Sequence, residues 1–169
     1  DLSSVARCVG VVVAWLAEHG DHQQFLADAS DADLETAIDE MLRLNDPFVS
    51  NRRTATADTE LAGCPISAGE QIVLSWREAN LDPAAFANPH GFDPAGNREN
   101  NLVYGTGVHV CPGRGLATLQ LRVIVRALLA AGILWLLARS RGETPAATRA
   151  AVLAGRTPIP WRTTLAMLG

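Results

Sequence analysis

The chain has 169 residues, of which 48% are hydrophobic and 19% charged, and its mean hydropathy is +0.10, a balance that excludes intrinsic disorder and describes one ordinary globular domain. Aromatic residues make up only 5% of it, so aliphatic side chains must fill the interior. All 14 basic residues are Arg and face 18 acidic ones, for a net charge of -4, which excludes the basic excess of a nucleic-acid-binding surface.

The cysteines Cys8, Cys64 and Cys111 are odd in number and widely spaced, so no secreted disulfide framework is expected and the sequence reads as that of a reducing, cytoplasmic compartment. The longest uncharged apolar runs, Cys8 to Ala17 and Ala127 to Ala138, fall short of the roughly 20 residues a membrane-spanning helix needs, so no membrane association is expected. Residue 1 is Asp and apolar helical sequence follows at once, without the charged region and cleavage site of a signal peptide. The expectation is a chain cut from something longer.

Leu2 to His19 is apolar on most of its circumference, which predicts a buried helix that stops at Gly20 and needs partners on all sides. Asp21 to Asp28 fits a short helix. Ser30 or Asp31 caps the next one, where Leu34, Ala37, Ile38, Met41 and Leu42 recur at helical spacing until Pro47 blocks continuation. From Arg53 to Trp76, the β-prone runs RTATADTEL and EQIVLSW, separated by PISAGE with Gly69 at the turn, predict a small antiparallel sheet. Glu78 to Asn101, with Pro83, Pro89 and Pro94 among Asn, Asp and Gly, is the longest loop. A helix is predicted from Leu116 to Ala131, ending at Gly132, and 133–169 is a divergent tail, rich in Ala, Thr and Pro from Arg139 onward.

The stretch that carries chemistry is YGTGVHVCPGRG, Tyr104 to Gly115. Cys111 stands just ahead of a helix start, where unpaired N–H groups and the helix dipole stabilise a thiolate, the form that binds metal. Gly105 and Gly107 permit tight turning and close approach to something flat, and Gly113 adds room on the other side. Three simpler readings compete. A single Cys is most often a small buried hydrophobe. A dinucleotide loop needs a third glycine where Val110 stands. A zinc site needs further ligands, and neither Cys8 nor Cys64 lies at metal-ligand spacing from Cys111.

As a cluster, YGTGVHVCPG resembles the haem-ligand loop of the cytochrome P-450 monooxygenases, F-x-x-G-x-x-x-C-x-G, with Tyr104 in place of the usual Phe. The family's E-x-x-R helix motif is matched by Glu40 and Arg43, and the segments RTATADTELAG, PISAGEQIVLSWREANLDP and FANPHGFDP resemble family segments in the family's order. The resemblance runs from Leu2 to Gly132. It implies a mainly α fold with a small antiparallel sheet, present as the C-terminal part of a haem-thiolate monooxygenase and forming a single partial domain. The implied activity is insertion of one oxygen atom into a small organic substrate, with haem b as cofactor and NAD(P)H-derived electrons delivered by a ferredoxin- or flavoprotein-type partner.

By the same resemblance, Cys111 is the axial ligand of haem iron, Arg53 and His109 bind haem propionates, and Tyr104, Gly105, Gly107 and Gly113 shape the loop against the porphyrin. Glu40 and Arg43 are scaffold. Phe48, Val49 and Ser50 face substrate, and Ser3 aligns with the threonine of the oxygen-activating A-G-x-[DE]-T helix, although Leu2 replaces the acid of that motif. The family's third salt-bridge member, an Arg four residues after the Phe of FDP, is Gly96 here, which leaves Arg98 as its expected substitute; Gln120 replaces a common acid. A rival from another class is a decayed, non-catalytic haem-binding or interaction module.

Overall fold

The computed structural model describes residues 2–132; Asp1 and the expected divergent tail, 133–169, lie outside the described residues. The elements in chain order are α1 (Leu2–Glu18), α2 (Gly20–Asp28), α3 (Asp31–Asn45), β1 (Ser50–Thr54), β2 (Thr59–Leu61), β3 (Cys64–Ile66), β4 (Gln71–Ser75), α4 (Trp76–Asn80), a single 3-10 turn at Gly107–His109, and α5 (Arg114–Ala130). The mainly α class with a small antiparallel sheet therefore holds. No described helix is by itself long and apolar enough to cross a membrane.

The described residues divide into two compact units, 2–35 with 118–132, and Thr36–Ala117. In the first, Cys8, Val12, Trp15, Leu16, Leu26, Leu34, Leu121 and Val125 are buried. Helix α1 buries only one stripe, Cys8, Val12, Trp15, Leu16 and Ala17, and Leu2 is 82% exposed, so the all-round burial expected from its composition is not seen among the described residues. The orphan carbonyls at the helix ends find side-chain donors. Gln23 donates Nε2 to Leu16 O, and Arg126 donates Nη1 to Ala27 O and Ala29 O at the end of α2. Ser30 rather than Asp31 caps α3: its hydroxyl accepts the Asp33 N–H at 3.2 Å and donates to the Asp33 carboxylate at 2.7 Å.

In the second unit, α3 lays Ala37, Ile38, Met41 and Leu42 into the core together with Phe86. The sheet is two paired ribbons rather than one. β1 pairs antiparallel with β4 from Ser50↔Ser75 to Thr54↔Gln71, and β2 pairs with β3 from Thr59↔Ile66 to Leu61↔Cys64. The turn joining β2 to β3 places Ala62 at φ 51 and Gly63 at φ 81, the two positive φ values of a type I′ hairpin, usually filled by Asn-Gly. That is why the strand over Cys64–Ile66 was hidden in the sequence: Ala-Gly is a weak turn signal, and Pro65 reads as a breaker. Pro65 is tolerated because this ribbon has only two strands.

Candidate functional site

Two buried groups organise the second unit. Glu40 and Arg43, three apart on α3, are 1% and 0% exposed. They meet in a forked pair, Arg43 Nε to Glu40 Oε2 at 2.7 Å and Arg43 Nη2 to Glu40 Oε1 at 2.9 Å. The remaining guanidinium hydrogens go to backbone carbonyls far along the chain: Asn80 O at 2.6 Å, Pro89 O at 2.8 Å and Gly91 O at 3.2 Å. Glu40 Oε1 in turn accepts the Asp93 N–H at 3.0 Å and the Asn97 side-chain amide at 2.7 Å. A buried ion pair is tolerable only when its spare donors and acceptors are filled in this way. Phe86 adds its ring face 4.7 Å from the Arg43 carbon. The helix pair therefore gathers the long irregular segment 80–97, which has no ladder of its own.

The third position of this network corrects one expectation. Asn97 is buried and bonded to Glu40, whereas Arg98 is exposed and lines a polar cleft of about 380 Å³ beside Tyr104, Gly105, Asp39 and Arg114. The reason is local. Asp93 accepts the Gly96 N–H on Oδ1 and the Asn97 N–H on its backbone carbonyl, and the turn so formed aims residue 97, not 98, at α3.

The cysteine loop leaves this anchor through residues 101–104. Asn101 donates Nδ2 to Asp39 O at 2.9 Å and accepts the Val103 N–H on its own Oδ1. Leu102 N–H donates to Asn80 Oδ1 at 2.8 Å, and Leu102 O accepts the Gly105 N–H. The Cys111 N–H then donates to Tyr104 O at 2.8 Å, closing the loop on itself, and the Arg114 N–H reaches Cys111 O as α5 begins. Gly105 and Gly107 stand at φ 72 and 62, where an L side chain is strained. Gly113 lies against the sulfur: a Cβ there would sit 3.8 Å from Cys111 Sγ. Arg114 stacks over the Tyr104 ring at 5.1 Å.

Cys111, His109 and Val108 are all exposed, Val108 to 95%, which disposes of the buried-hydrophobe reading of the cysteine. An added Cβ at Gly107 would meet nothing within 4 Å. An accessible soft thiol on a loop with bare glycine backbone is what a flat metal-centred macrocycle requires, so the residues present fit haem.

Of the other expected residues, Arg53 is exposed on β1 opposite Ile72, with Nη1 on Arg52 O. Phe48 is half-buried, its N–H bound to Asp46 Oδ1; Val49 is 53% exposed, and exposed Ser50 opens β1. Ser3 is exposed in the first turn of α1, in the first unit. Sequence reasoning missed Asp46, Asn80 and Asn97. Asp46 is buried, accepting the Phe48 N–H and the Asn80 amide, and burial pushes its carboxyl above the ordinary aspartate value against those bonds and the nearby Arg77 charge. The signal that could have found the two asparagines is asparagine frequency in the loop, since one amide both donates and accepts; Asp46 leaves no such signal.

A haem-thiolate scaffold is the class this fold and loop define, and comparison with known proteins agrees. The family model for cytochrome P-450 matches residues 34–131, and the chain belongs to that family. Among curated relatives, it is similar to a putative cytochrome P-450 126 of Mycobacterium tuberculosis, 42% identical over 114 residues, covering 68% of this chain and 27% of that protein. It is also similar to a steroid C26-monooxygenase of the same species, 41% identical over 96 residues, covering 57% of this chain and 26% of that protein. Among solved structures, cytochrome P-450-153 from Novosphingobium aromaticivorans superposes with a TM-score of 0.67 at 35% identity, covering 76% of this chain and 32% of that one. The chain thus spans about a quarter of the length of the curated relatives it matches.

Proposed function

We propose that the protein acts as a haem-thiolate monooxygenase with Cys111 as the axial ligand. The observation that carries this reading is the exposed Cys111 thiol on a loop closed by its own backbone and tied to the buried Glu40–Arg43 pair through Asn80. Haem iron bound to a thiolate supplies oxygen activation, because the electron-rich sulfur favours O–O cleavage.

The chain's own residues hold and orient. Helix α5, starting at Arg114, follows directly on Cys111, whose carbonyl accepts the Arg114 N–H, so the ligand residue is anchored at a helix start. Arg53 supplies a fixed cation and His109 a hydrogen-bond donor for the carboxylates of a bound haem b. Gly105, Gly107 and Gly113 keep side chains out of the way of the ring. Phe48, Val49 and Ser50 contact a small organic substrate, and the Ser3 hydroxyl helps move protons. Electrons originate from NAD(P)H and arrive from a ferredoxin- or flavoprotein-type partner.

The test is spectroscopic. The full-length protein, expressed with a haem supply and reduced under carbon monoxide, should show the red-shifted Soret band of thiolate ligation, and Cys111→Ser should abolish it. A wild-type spectrum typical of histidine ligation would sink the assignment.

A further inference from the structure

We propose that Asn80 is a positioning residue for the cysteine loop: its side-chain amide fixes Leu102, the last point of the chain held by a buried side chain before the loop opens at Gly105. This rests on the haem-thiolate reading for its chemical meaning, and its geometry stands independently of it.

Asn80 ends α4 and is 0% exposed. Three hydrogen bonds converge on it from three separate parts of the chain. Its backbone carbonyl accepts Arg43 Nη1 at 2.6 Å, its Oδ1 accepts the Leu102 N–H at 2.8 Å, and its Nδ2 donates to Asp46 Oδ2 at 3.2 Å. An amide is planar, so donor and acceptor are held at a fixed separation, and fastening one side to Asp46 sets where the other meets Leu102.

From Leu102 the connection to the sulfur is short and made entirely of backbone. Leu102 O receives the Gly105 N–H at 2.8 Å, and Tyr104 O receives the Cys111 N–H at 2.8 Å. A displacement of Leu102 therefore moves both bonds that shape the loop. Glu40 and Arg43 reach the loop by this same route, since Arg43 bonds Asn80 but none of residues 104–113. Leucine and aspartate replace the amide unequally. Leucine removes both bonds, while aspartate keeps the acceptor for Leu102 but sets a second carboxylate against Asp46.

Two measurements on the full-length protein separate positioning from mere support of the core. The first is amide hydrogen exchange without haem. In Asn80→Leu, the Gly105 and Cys111 amides should exchange about ten-fold faster relative to those of β1 and β4 than they do in wild type, whereas Asn80→Asp should keep the wild-type ratio. The second is the ferrous carbon monoxide spectrum of the haem-loaded fraction. Conversion from the thiolate to the thiol form should be about ten-fold faster in Asn80→Leu and unchanged in Asn80→Asp. If Asn80→Leu fails to accumulate, Asn80→Ser, whose hydroxyl is too short to reach both partners, carries the same expectations. Uniform loss of protection across the unit, an unaltered conversion rate in the loaded Asn80→Leu fraction, or failure of both variants to fold would overturn the proposal in favour of a general core role. A wild-type protein without a thiolate spectrum would instead overturn the haem-thiolate reading, leaving the exchange experiment to judge Asn80.

Discussion

Asn97 donates its side-chain amide to Glu40 Oε1 at 2.7 Å, across 57 positions of sequence. The bond replaces a charged third partner with a neutral one. A neutral donor stabilises a buried carboxylate less than a guanidinium does, but it brings no charge that would itself need compensation. Asn97→Leu should therefore leave Glu40 short of one donor and cost about 1–3 kcal/mol in urea unfolding. Arg98→Ala, at an exposed cleft wall, should stay within about 0.5 kcal/mol of wild type. Equal losses from the two would restore Arg98 to the network.

Arg43 makes five hydrogen bonds, two to Glu40 and three to backbone carbonyls. Arg43→Ala strands a buried carboxylate and three carbonyls, so it should cost about 3–5 kcal/mol or more. Arg43→Lys should recover little, because an ammonium has three donors and no planar fork. The readout is the yield of folded, haem-loaded protein. Normally loaded Arg43→Ala protein with only slower turnover would show that the pair is not scaffold.

The long helices and the cysteine loop were legible in the sequence because their signals are local, whereas the short α4, Trp76–Asn80, lay across what reads as the end of a strand and the start of a loop. Leu34, Ala37, Ile38, Met41 and Leu42 repeat at the helical period and are buried, apart from small boundary shifts such as α5 beginning at Arg114 rather than Leu116. Glycine spacing before Cys111 likewise records a backbone need, borne out at Gly105 and Gly107 by their positive φ. The network that holds the loop was not legible. Asn80, Asn97 and Asn101 act through isolated bonds to partners 22 to 62 positions away, which leave no periodicity. The substitute for the missing arginine was sought by charge, at Arg98, when what decided it was the direction of a turn.

The two loop glycines should tolerate alanine unequally. Both have positive φ, so each alanine bears a left-handed backbone cost of about 1–2 kcal/mol. At Gly107 the new Cβ meets open space, whereas at Gly105 it would lie 3.4 Å from the His109 carbonyl oxygen, inside the loop. Gly105→Ala should thus destabilise the haem-free protein more than Gly107→Ala. With haem supplied, Gly107→Ala should show the larger drop in haem retention relative to its change in unfolding midpoint, because its methyl group stands on the open side. Matching haem retention and midpoints for both variants would argue that neither glycine faces the ring.

His22 gives the first unit a pH dependence of definite sign. Its ring meets Trp15 edge-on at 5.0 Å, and His19, stacked on Trp15 with centroids 4.1 Å apart, also meets the His22 ring edge-on at 6.1 Å. Burial, aided by the nearby His19 and partly opposed by Asp21, holds the His22 imidazole below its ordinary value of 6.5. In the window between that lowered value and 6.5, the unfolded chain binds more protons than the folded one, so stability rises with pH there and is lost as the solution is acidified through it. His22→Phe keeps an aromatic edge against Trp15 and removes the titrating group. Urea midpoints measured on both sides of the window should therefore diverge: wild type should lose more stability than His22→Phe on moving from mildly alkaline to mildly acidic buffer. A variant with the same pH slope as wild type would place the acid sensitivity elsewhere, and a wild-type midpoint that rises on acidification would contradict the lowered ionisation of His22 itself.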